Sequence, residues 1–312
     1  MNYRILITGG AGCLGSNLIE HYFPKGCDIK VIDNFATGKK EVVPEQDRLS
    51  VIEGSIDDSA LVEKTFADFR PDYVIHSAAS YNDPTNWRED SLTNILGSIN
   101  VAKAAEKFGV EKIINFQTAL CYGRPKEIPI NRDHPLQPFS SYGISKTAGE
   151  QYLINSGLPV VSLRLANVTG PRLAIGPIPT FYQRLKAGKP CFCSDSKRDF
   201  LDMEDFFSLI DILISSEVTS GVFNVSTGES RSIMDVFNLV SSYLGIEPKE
   251  PPPIVAVGND DVPEVVLDPR ETEEILGWKA RVGFEETIYR MLSWYDEHGV
   301  SAIHSHLAEP RS

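Results

Sequence analysis

The sequence predicts an α/β fold, a doubly wound parallel sheet with a smaller C-terminal α/β lobe. Two observations support this prediction: short continuous apolar runs recur through the first half of the chain, and helical patterns separate them. Such runs are typical of strands buried on both faces of a parallel sheet. The length of 312 residues is near the size at which one core divides into two lobes. The predicted strands are Ile5–Ile7, Ile29–Ile32, Leu49–Ile52, Tyr73–Ile75, Ile113–Phe116 and Val160–Leu165.

Helical patterns alternate with these runs and continue beyond them. Leu61–Phe69 is one, and Ile95–Phe108 carries apolar residues at helical spacing before Gly109, a residue that often ends a helix. Glycine and proline become frequent after Asn167, where the pattern loosens. The later predicted helices are Ile233–Leu244, Pro269–Leu276 and Phe284–His298.

The domain prediction follows from this order of elements. We expect a first domain at residues 1–170, with later returns near 201–226 and 254–268. A second lobe would comprise 171–200 and 227–312. The short apolar run Gly221–Val225 is expected to rejoin the main sheet.

Composition excludes several classes of partner. The formal net charge of −13 argues against the broad basic surface that nucleic acid or anionic lipid requires. Phe206 to Ile214 is the most apolar stretch, and it is too short to span a membrane. The N-terminus also lacks the long apolar region of a signal peptide. We therefore expect no nucleic-acid partner, no membrane partner and a cytoplasmic location.

The five cysteines are scattered and odd in number, which does not fit a disulfide framework. Cys191 and Cys193 form a C-x-C pair with no second half, so we expect them to be structural and expect no metal site.

A glycine-rich turn follows the first predicted strand and precedes a helix. In it, Gly9 permits a tight turn, Gly12 lets the backbone approach a pyrophosphate, and Gly15 allows close packing of helix on strand. The pyrophosphate would then meet free N–H groups at the helix N-terminus. Residues Thr8 to Gly15 therefore predict a dinucleotide-binding turn.

An acidic residue at the end of the second strand supports the same interpretation. Asp33 lies 18 residues after Gly15, where a carboxylate can accept both hydroxyls of a ribose. It would repel a 2′-phosphate, so NAD is preferred to NADP. Lys39 and Lys40 nearby leave the NADP alternative open.

A second group of residues predicts proton transfer. Tyr142 and Lys146 are four residues apart and share one helical face, where an ammonium lowers the pKa of a phenol. Thr118 follows the fifth predicted strand, at the sheet edge where ligands bind in open α/β folds. Its hydroxyl could hold a substrate hydroxyl and share in proton transfer with Tyr142.

Taken together, these motifs resemble the extended short-chain dehydrogenases/reductases, specifically the branch of NAD-dependent nucleotide-sugar epimerases and dehydratases with a Rossmann fold. The resemblance covers nearly the whole chain. It comprises Thr8–Gly15, Asp33 with Asn34, His76–Ala79, Asn94, Thr118 with Tyr122 and Gly123, Tyr142 with Lys146, Leu163–Arg172, Arg198–Asp202, Asp205 and Leu276–Trp278.

The resemblance implies a role for each matching residue. Tyr142 would be the catalytic base, Lys146 would tune it and hold the nicotinamide ribose, and Thr118 would orient the sugar hydroxyl. Besides Tyr142 and Lys146, the implied NAD-binding residues are Gly9, Gly12, Cys13, Leu14, Gly15, Asp33, Asn34, Thr37, Gly38, Ser55, Ile56, Ser77, Ala78 and Ala79. Besides Thr118, the implied residues for the nucleotide-sugar substrate are Asn167, Arg172 and Arg198. The family also implies a homodimer formed through Ile95–Phe108 and Ser141–Ser156.

Departures from the family pattern favour one reaction over others. Dehydratases of this family carry an Asp-Glu pair directly after the catalytic Thr, where this chain has Ala119 and Leu120. Elimination needs an acid and a base at neighbouring carbons, and neither side chain can serve. We therefore expect C4 epimerisation of a UDP-hexose. A 4,6-dehydratase, a 4-ketoreductase and, more remotely, a non-catalytic dinucleotide sensor remain alternatives. Cys121 is interpreted as a packing residue.

Two further departures concern ligand contacts. Gly54-Ser55-Ile56 stands where family members have Gly-Asp-Ile beside the adenine. The second phosphate-binding arginine of UDP-glucose 4-epimerases is missing near Gly258, and the candidates to replace it are Arg172, Arg231 and Arg270.

Overall fold

The computed structural model describes residues 3–258 and 261–300, and a seven-stranded parallel sheet forms its centre. Its order is β11-β6-β5-β4-β1-β2-β3. The strands are β1 (Arg4–Thr8), β2 (Asp28–Asp33), β3 (Leu49–Glu53), β4 (Tyr73–His76), β5 (Lys112–Thr118), β6 (Val160–Leu165), β7 (Asn167–Thr169), β8 (Cys193–Ser194), β9 (Lys197–Arg198), β10 (Phe200–Asp202), β11 (Gly221–Val225), β12 (Arg231–Ser232), β13 (Ile254–Val255) and β14 (Glu264–Val265). The predicted doubly wound fold is confirmed, and Gly221–Val225 rejoins the sheet beside β6.

Helices cover both faces of the sheet. The helices are α1 (Cys13–Tyr22), α2 (Ser59–Phe69), α3 (Trp87–Asp90), α4 (Ser98–Phe108), α5 (Ser141–Ile154), α6 (Pro177–Lys186), α7 (Met203–Ser215), α8 (Ile233–Tyr243), α9 (Arg270–Leu276) and α10 (Phe284–His298), with 3-10 turns at Lys40–Val42 and Ala119–Tyr122. Successive residues of a strand point to opposite faces. Accordingly, Ile5 and Ile7 pack with α1 and α7, whereas Leu6 packs with α2, α4 and α5. This burial on both faces explains why the strands appear as continuous apolar runs.

The predicted helix Ile95–Phe108 begins differently from expectation. Ser91–Gly97 forms a π-helix, and α4 follows it. At this point α5 comes very close, since a Cβ on Gly149 would lie 2.1 Å from the carbonyl oxygen of Asn94. The wider turn therefore lies where two helices are in backbone contact.

The second lobe has its own apolar core, formed mainly by α6, α8 and α10. Residues 254–268 were expected to rejoin the first domain, but only part of this segment does so. β13 and β14 pair with β8 and β9, which belong to the 171–200 segment. Leu267, in contrast, packs against Ala119 and Tyr122 of the first domain.

Within the two described ranges, no helix is both long enough and apolar enough to cross a membrane.

Candidate active site

The glycine turn packs against the neighbouring strand end, as its pattern predicts. Gly9 has φ +69°, and a Cβ there would lie 2.6 Å from the Cα of Ala78 in the loop after β4. A Cβ on Gly15 would lie 2.5 Å from the carbonyl oxygen of Gly9. These contacts bring the loops after β1 and β4 together at the point where the strand order reverses, which is where open α/β sheets bind ligands.

Helix α1 begins at this turn and presents its N-terminus to it. Gly12 is the N-cap and has no side chain that could cap the helix. The first amides, those of Cys13 and Leu14, have no acceptor within the helix. Since a helix N-terminus attracts negative charge, this cradle suits the pyrophosphate of a dinucleotide.

Asp33 lies beside the turn with its carboxylate held in place. Its Oδ2 accepts a hydrogen bond from the Ala11 amide at 2.8 Å, and its Oδ1 accepts one from the Phe35 amide at 2.8 Å. Burial raises the pKa of Asp33, and these two amides lower it. Each oxygen keeps a lone pair that a ribose hydroxyl could use. Lys40 pairs with Glu53 at 3.1 Å.

The other predicted cofactor residues line the same edge of the sheet. Asn34, Thr37 and Gly38 follow β2, and a Cβ on Gly38 would meet Ala11 at 2.7 Å. Ser55 and Ile56 follow β3, while Ser77, Ala78 and Ala79 follow β4.

The residues predicted to transfer protons lie close together at the start of α5. The Thr118 side chain lies near the phenol of Tyr142, and it acts to lower the pKa that burial raises. Lys146, one turn further along α5, is 5% exposed, and its carbonyl oxygen accepts a hydrogen bond from Gln117 at 2.9 Å. The structure thus brings together all three residues that the sequence singled out for catalysis.

The ionisation of this pair differs from the expectation. Burial raises the pKa of Tyr142 well above its usual value, and the Thr118 side chain only partly offsets this. Burial also lowers the pKa of Lys146 to about 8. Lys146 is not among the main groups that shift the pKa of this phenol, so the expected lowering by the ammonium is not found in the protein alone, where the cost of burying charge prevails.

The 3-10 turn after Thr118 carries no carboxylate. The Thr118 hydroxyl accepts a hydrogen bond from the Leu120 amide at 3.2 Å, which starts the turn. Cys121 is fully buried, and burial raises the pKa of its thiol. This agrees with its interpretation as a packing residue.

The three predicted substrate residues beyond Thr118 occupy different places. Asn167 is an exposed residue that begins β7, and its amide donates to the Asp199 carbonyl at 3.0 Å. Arg198 lies in β9 and donates to Asp261 at 2.7 Å. Arg172, by contrast, lies against the cofactor helix α1, where it donates to Ser16 and, through two nitrogens, to Glu20.

Sequence reasoning missed two side chains at the centre of the site. Tyr81 packs edge-on against the Tyr142 ring, with 6.0 Å between the two ring centroids. Asp90 is a buried carboxylate whose charge also acts on Tyr142. Asp90 lies four residues before Asn94 in a helical segment, and this spacing was the one signal that could have drawn attention to it.

The fold and the site together define an NAD-binding enzyme of the extended short-chain dehydrogenase/reductase type. The chain belongs to the NAD dependent epimerase/dehydratase family, whose pattern matches residues 5–226. NAD is therefore its cofactor, in agreement with the uncapped helix and the Asp33 carboxylate.

Individual proteins resemble the chain over almost its whole length. WbmG of Bordetella bronchiseptica, solved in complex with NAD and with NAD and UDP, is 63% identical, with a TM-score of 0.94 over 99% of this chain and 98% of that one. A UDP-glucose 4-epimerase of Thermotoga maritima, solved with UDP-glucose, is 29% identical, with a TM-score of 0.87 over 94% of this chain and 99% of that one. The UDP-glucose 4-epimerase of Mycolicibacterium smegmatis is 28% identical over 94% of this chain and 98% of its own.

Proposed function

We propose that this chain is an epimerase that inverts carbon 4 of a UDP-hexose through a 4-keto sugar intermediate. The observation that carries the proposal is the proximity of the Thr118 side chain to the Tyr142 phenol, one helical turn from the buried Lys146 and beside a turn without carboxylates. Epimerisation needs this set and a bound NAD, whereas elimination needs a further acid and base. Two similarities support the choice of substrate and reaction. The chain resembles WbmG, which was solved with UDP, and this supports UDP as the nucleotide; it also resembles UDP-glucose 4-epimerases, and this supports carbon 4 as the reacting carbon.

In this mechanism Tyr142 removes the proton of the sugar 4-hydroxyl while Thr118 orients that hydroxyl. When bound, NAD would supply reversible hydride transfer at carbon 4 of the sugar, so that no external reductant would be consumed. Lys146 would hold the nicotinamide ribose, and its charge favours the phenolate. The keto sugar then turns about its diphosphate link, and Tyr142 returns the proton after the other face is presented.

The diphosphate must be held firmly while the sugar turns, and we assign this to Arg198 and Arg231. Arg231 is the direct cross-strand partner of Arg198 in the antiparallel pair β9–β12. Side chains in directly opposite positions share one face of a sheet. The Arg231 guanidinium stacks on Phe284 at 5.2 Å and pairs with Glu229, and its buried Nε has no hydrogen-bond partner.

The other two candidate arginines are engaged elsewhere. Arg172 is held by Ser16 and Glu20 on α1, and Arg270 is an exposed residue paired with Asp268. Arg231 is therefore our choice for the cation that replaces the missing arginine near Gly258. A planar guanidinium with an unused N–H suits a phosphate oxygen.

We further propose that the chain forms a homodimer in the cytoplasm. Leu96 is 38% exposed, Ile144 50% and Tyr152 55%, and they lie on the π-helix and on α5, which pack side by side. Exposed apolar side chains grouped in this way favour a protein partner. All five cysteines are free, which suits a reducing compartment.

The test is to give purified protein a set of UDP-hexoses and to follow C4 epimers by chromatography and the nicotinamide absorbance in parallel. We expect interconversion with no net formation or loss of NADH, and loss of activity in Tyr142→Phe. Stoichiometric consumption of NADH would instead identify a reductase, and a 6-deoxy-4-keto product would identify a dehydratase. NAD binding without turnover of any nucleotide sugar would contradict the proposal.

A further inference from the structure

A buried carboxylate lies beside the catalytic residues and has no part in the reaction described above. Asp90, the last residue of α3, is 1% exposed. Its Oδ1 accepts a hydrogen bond from the Ser80 hydroxyl at 2.9 Å, and its Oδ2 accepts one from the Ser141 hydroxyl at 2.6 Å. Both partners are neutral, so burial of this carboxylate is compensated by two hydroxyl groups.

The two serines belong to the two segments that form the site. Ser80 directly follows the loop Ser77–Ala79 after β4, whose residues are predicted to bind NAD. Ser141 is the first residue of α5 and directly precedes Tyr142. Asp90 therefore joins the cofactor loop to the turn that carries the catalytic phenol.

Asn94 makes a second connection between the same two segments. Its Oδ1 accepts from the Ser80 amide at 2.9 Å, and its Nδ2 donates to the Ser80 carbonyl at 2.9 Å and to the Ser145 hydroxyl at 2.9 Å. These bonds do not involve Asp90. They should therefore keep the two segments folded together when only Asp90 is changed.

We propose that Asp90 is a positioning residue: through Ser80 and Ser141 it holds the cofactor loop and the start of α5 so that the Tyr142 phenol meets Thr118 and the substrate. Asn94 joins the backbone of Ser80 to the Ser145 hydroxyl, whereas Asp90 joins the Ser80 hydroxyl to Ser141, the residue directly before Tyr142. This inference rests on the proposed roles of Tyr142 and Thr118 in the epimerisation.

The charge of Asp90 gives this role a distinctive signature. Burial is the largest cause of the raised pKa of Tyr142, and the Asp90 carboxylate adds to it. The groups that act on the phenol are Tyr81, which raises its pKa, Thr118, which lowers it, and Asp90 and Cys121, which raise it. Lys146 lies one turn further along the same helix. Neutralising Asp90 alone should lower the pKa of Tyr142.

Asp90→Asn separates charge from hydrogen bonding. A serine hydroxyl can donate or accept, so the amide can keep one bond to each serine. We expect the Tyr142 phenolate, measured by ultraviolet titration of the holoenzyme against a Tyr142→Phe blank, to form at a pH lower by up to about one unit. The acid limb of kcat/KM should move in the same direction.

Asp90→Ala removes both bonds. A displaced catalytic group can cost up to about one hundred-fold in rate, and we expect kcat to fall by at least about ten-fold while KM changes little. Asp83→Asn is the matched control, because Asp83 lies in the same connection but is exposed and bonds only its local turn. It should behave as the wild-type protein does.

The proposal is overturned if Asp90→Asn titrates and turns over as the wild-type protein does. Should Asp90→Ala fail to fold, the titration of Asp90→Asn still decides the matter. Should the wild-type protein epimerise no UDP-hexose, the proposed function fails, yet the phenolate titration still tests the link from Asp90 to Tyr142.

Discussion

Lys146 is a buried ammonium, and we predict that Lys146→Met stabilises the NAD-free protein while it abolishes turnover. Burial lowers the pKa of this side chain from 10.5 to about 8. The charge of Glu150 opposes the shift, but that carboxylate already accepts hydrogen bonds from Ser162 and Arg164. The folded protein therefore carries an ammonium that it solvates poorly, which is the kind of strain a catalytic group introduces.

The size of the effect follows from the two pKa values. Their difference corresponds to about 3 kcal/mol at neutral pH, and we take this as the upper limit of the gain. The sign follows from proton binding: between pH 8 and 10.5 the unfolded chain holds a proton at Lys146 that the folded chain has released. The contribution of Lys146 to the stability of the wild-type protein therefore rises with pH across this window, and the advantage of Lys146→Met disappears.

The assay is urea unfolding of NAD-free protein at neutral and at high pH. Lys112→Met is the matched control, because Lys112 is 3% exposed but donates to the carbonyl oxygens of Leu213 at 2.5 Å and Ser216 at 3.1 Å. Loss of that donor should destabilise the protein by about 1–3 kcal/mol. The prediction is wrong if Lys146→Met unfolds as easily as the wild-type protein at neutral pH. It is also wrong if the difference in the free energy of unfolding between the two proteins does not change with pH.

Two further predictions concern the substrate and the dimer. Arg231→Gln should raise KM for the UDP-sugar by about ten-fold to one hundred-fold with little change in kcat, because a charge-assisted bond to phosphate is lost. Steady-state kinetics measure this change. Arg270→Gln is the control and should leave KM unchanged. Ile144→Glu should convert the dimer to a monomer in sedimentation experiments, whereas Ile275→Glu, at a position equally 50% exposed on α9, should not. Equal behaviour of the two members of either pair would contradict the assignment.

Helices, strands and turns that depend only on their own residues were predictable from the sequence. The strand Val160–Leu165 and the helix Phe284–His298 have the predicted bounds. The glycine turn was also predictable, because Gly12 and Gly15 meet residues of the same strand–turn–helix unit, although Gly9 meets Ala78 in the loop after β4. The same holds for Tyr142 and Lys146, whose common helical face depends only on their spacing.

The exceptions arise where distant segments meet. The π-helix at Ser91–Gly97 lies where α5 touches its backbone. The residues of Ser91–Gly97 themselves do not indicate this contact, so the wider turn could not be predicted from them. The high pKa of Tyr142 likewise depends on burial by other elements of the fold, which the spacing of Tyr142 and Lys146 does not reveal.

Hydrophobic period and residue spacing act within single elements, and they were enough to predict the doubly wound sheet, the NAD-binding turn and the candidate catalytic residues. The tertiary structure was needed to show that Arg231 lies opposite Arg198 and that the Asp90 carboxylate bonds Ser141, directly before Tyr142. Those pairings depend on cross-strand register and on the packing of helices remote in sequence. Arg231 is 33 residues from Arg198, and Asp90 is 51 residues from Ser141. At such separations the periodicity of a helix or a strand cannot predict that two residues are in contact.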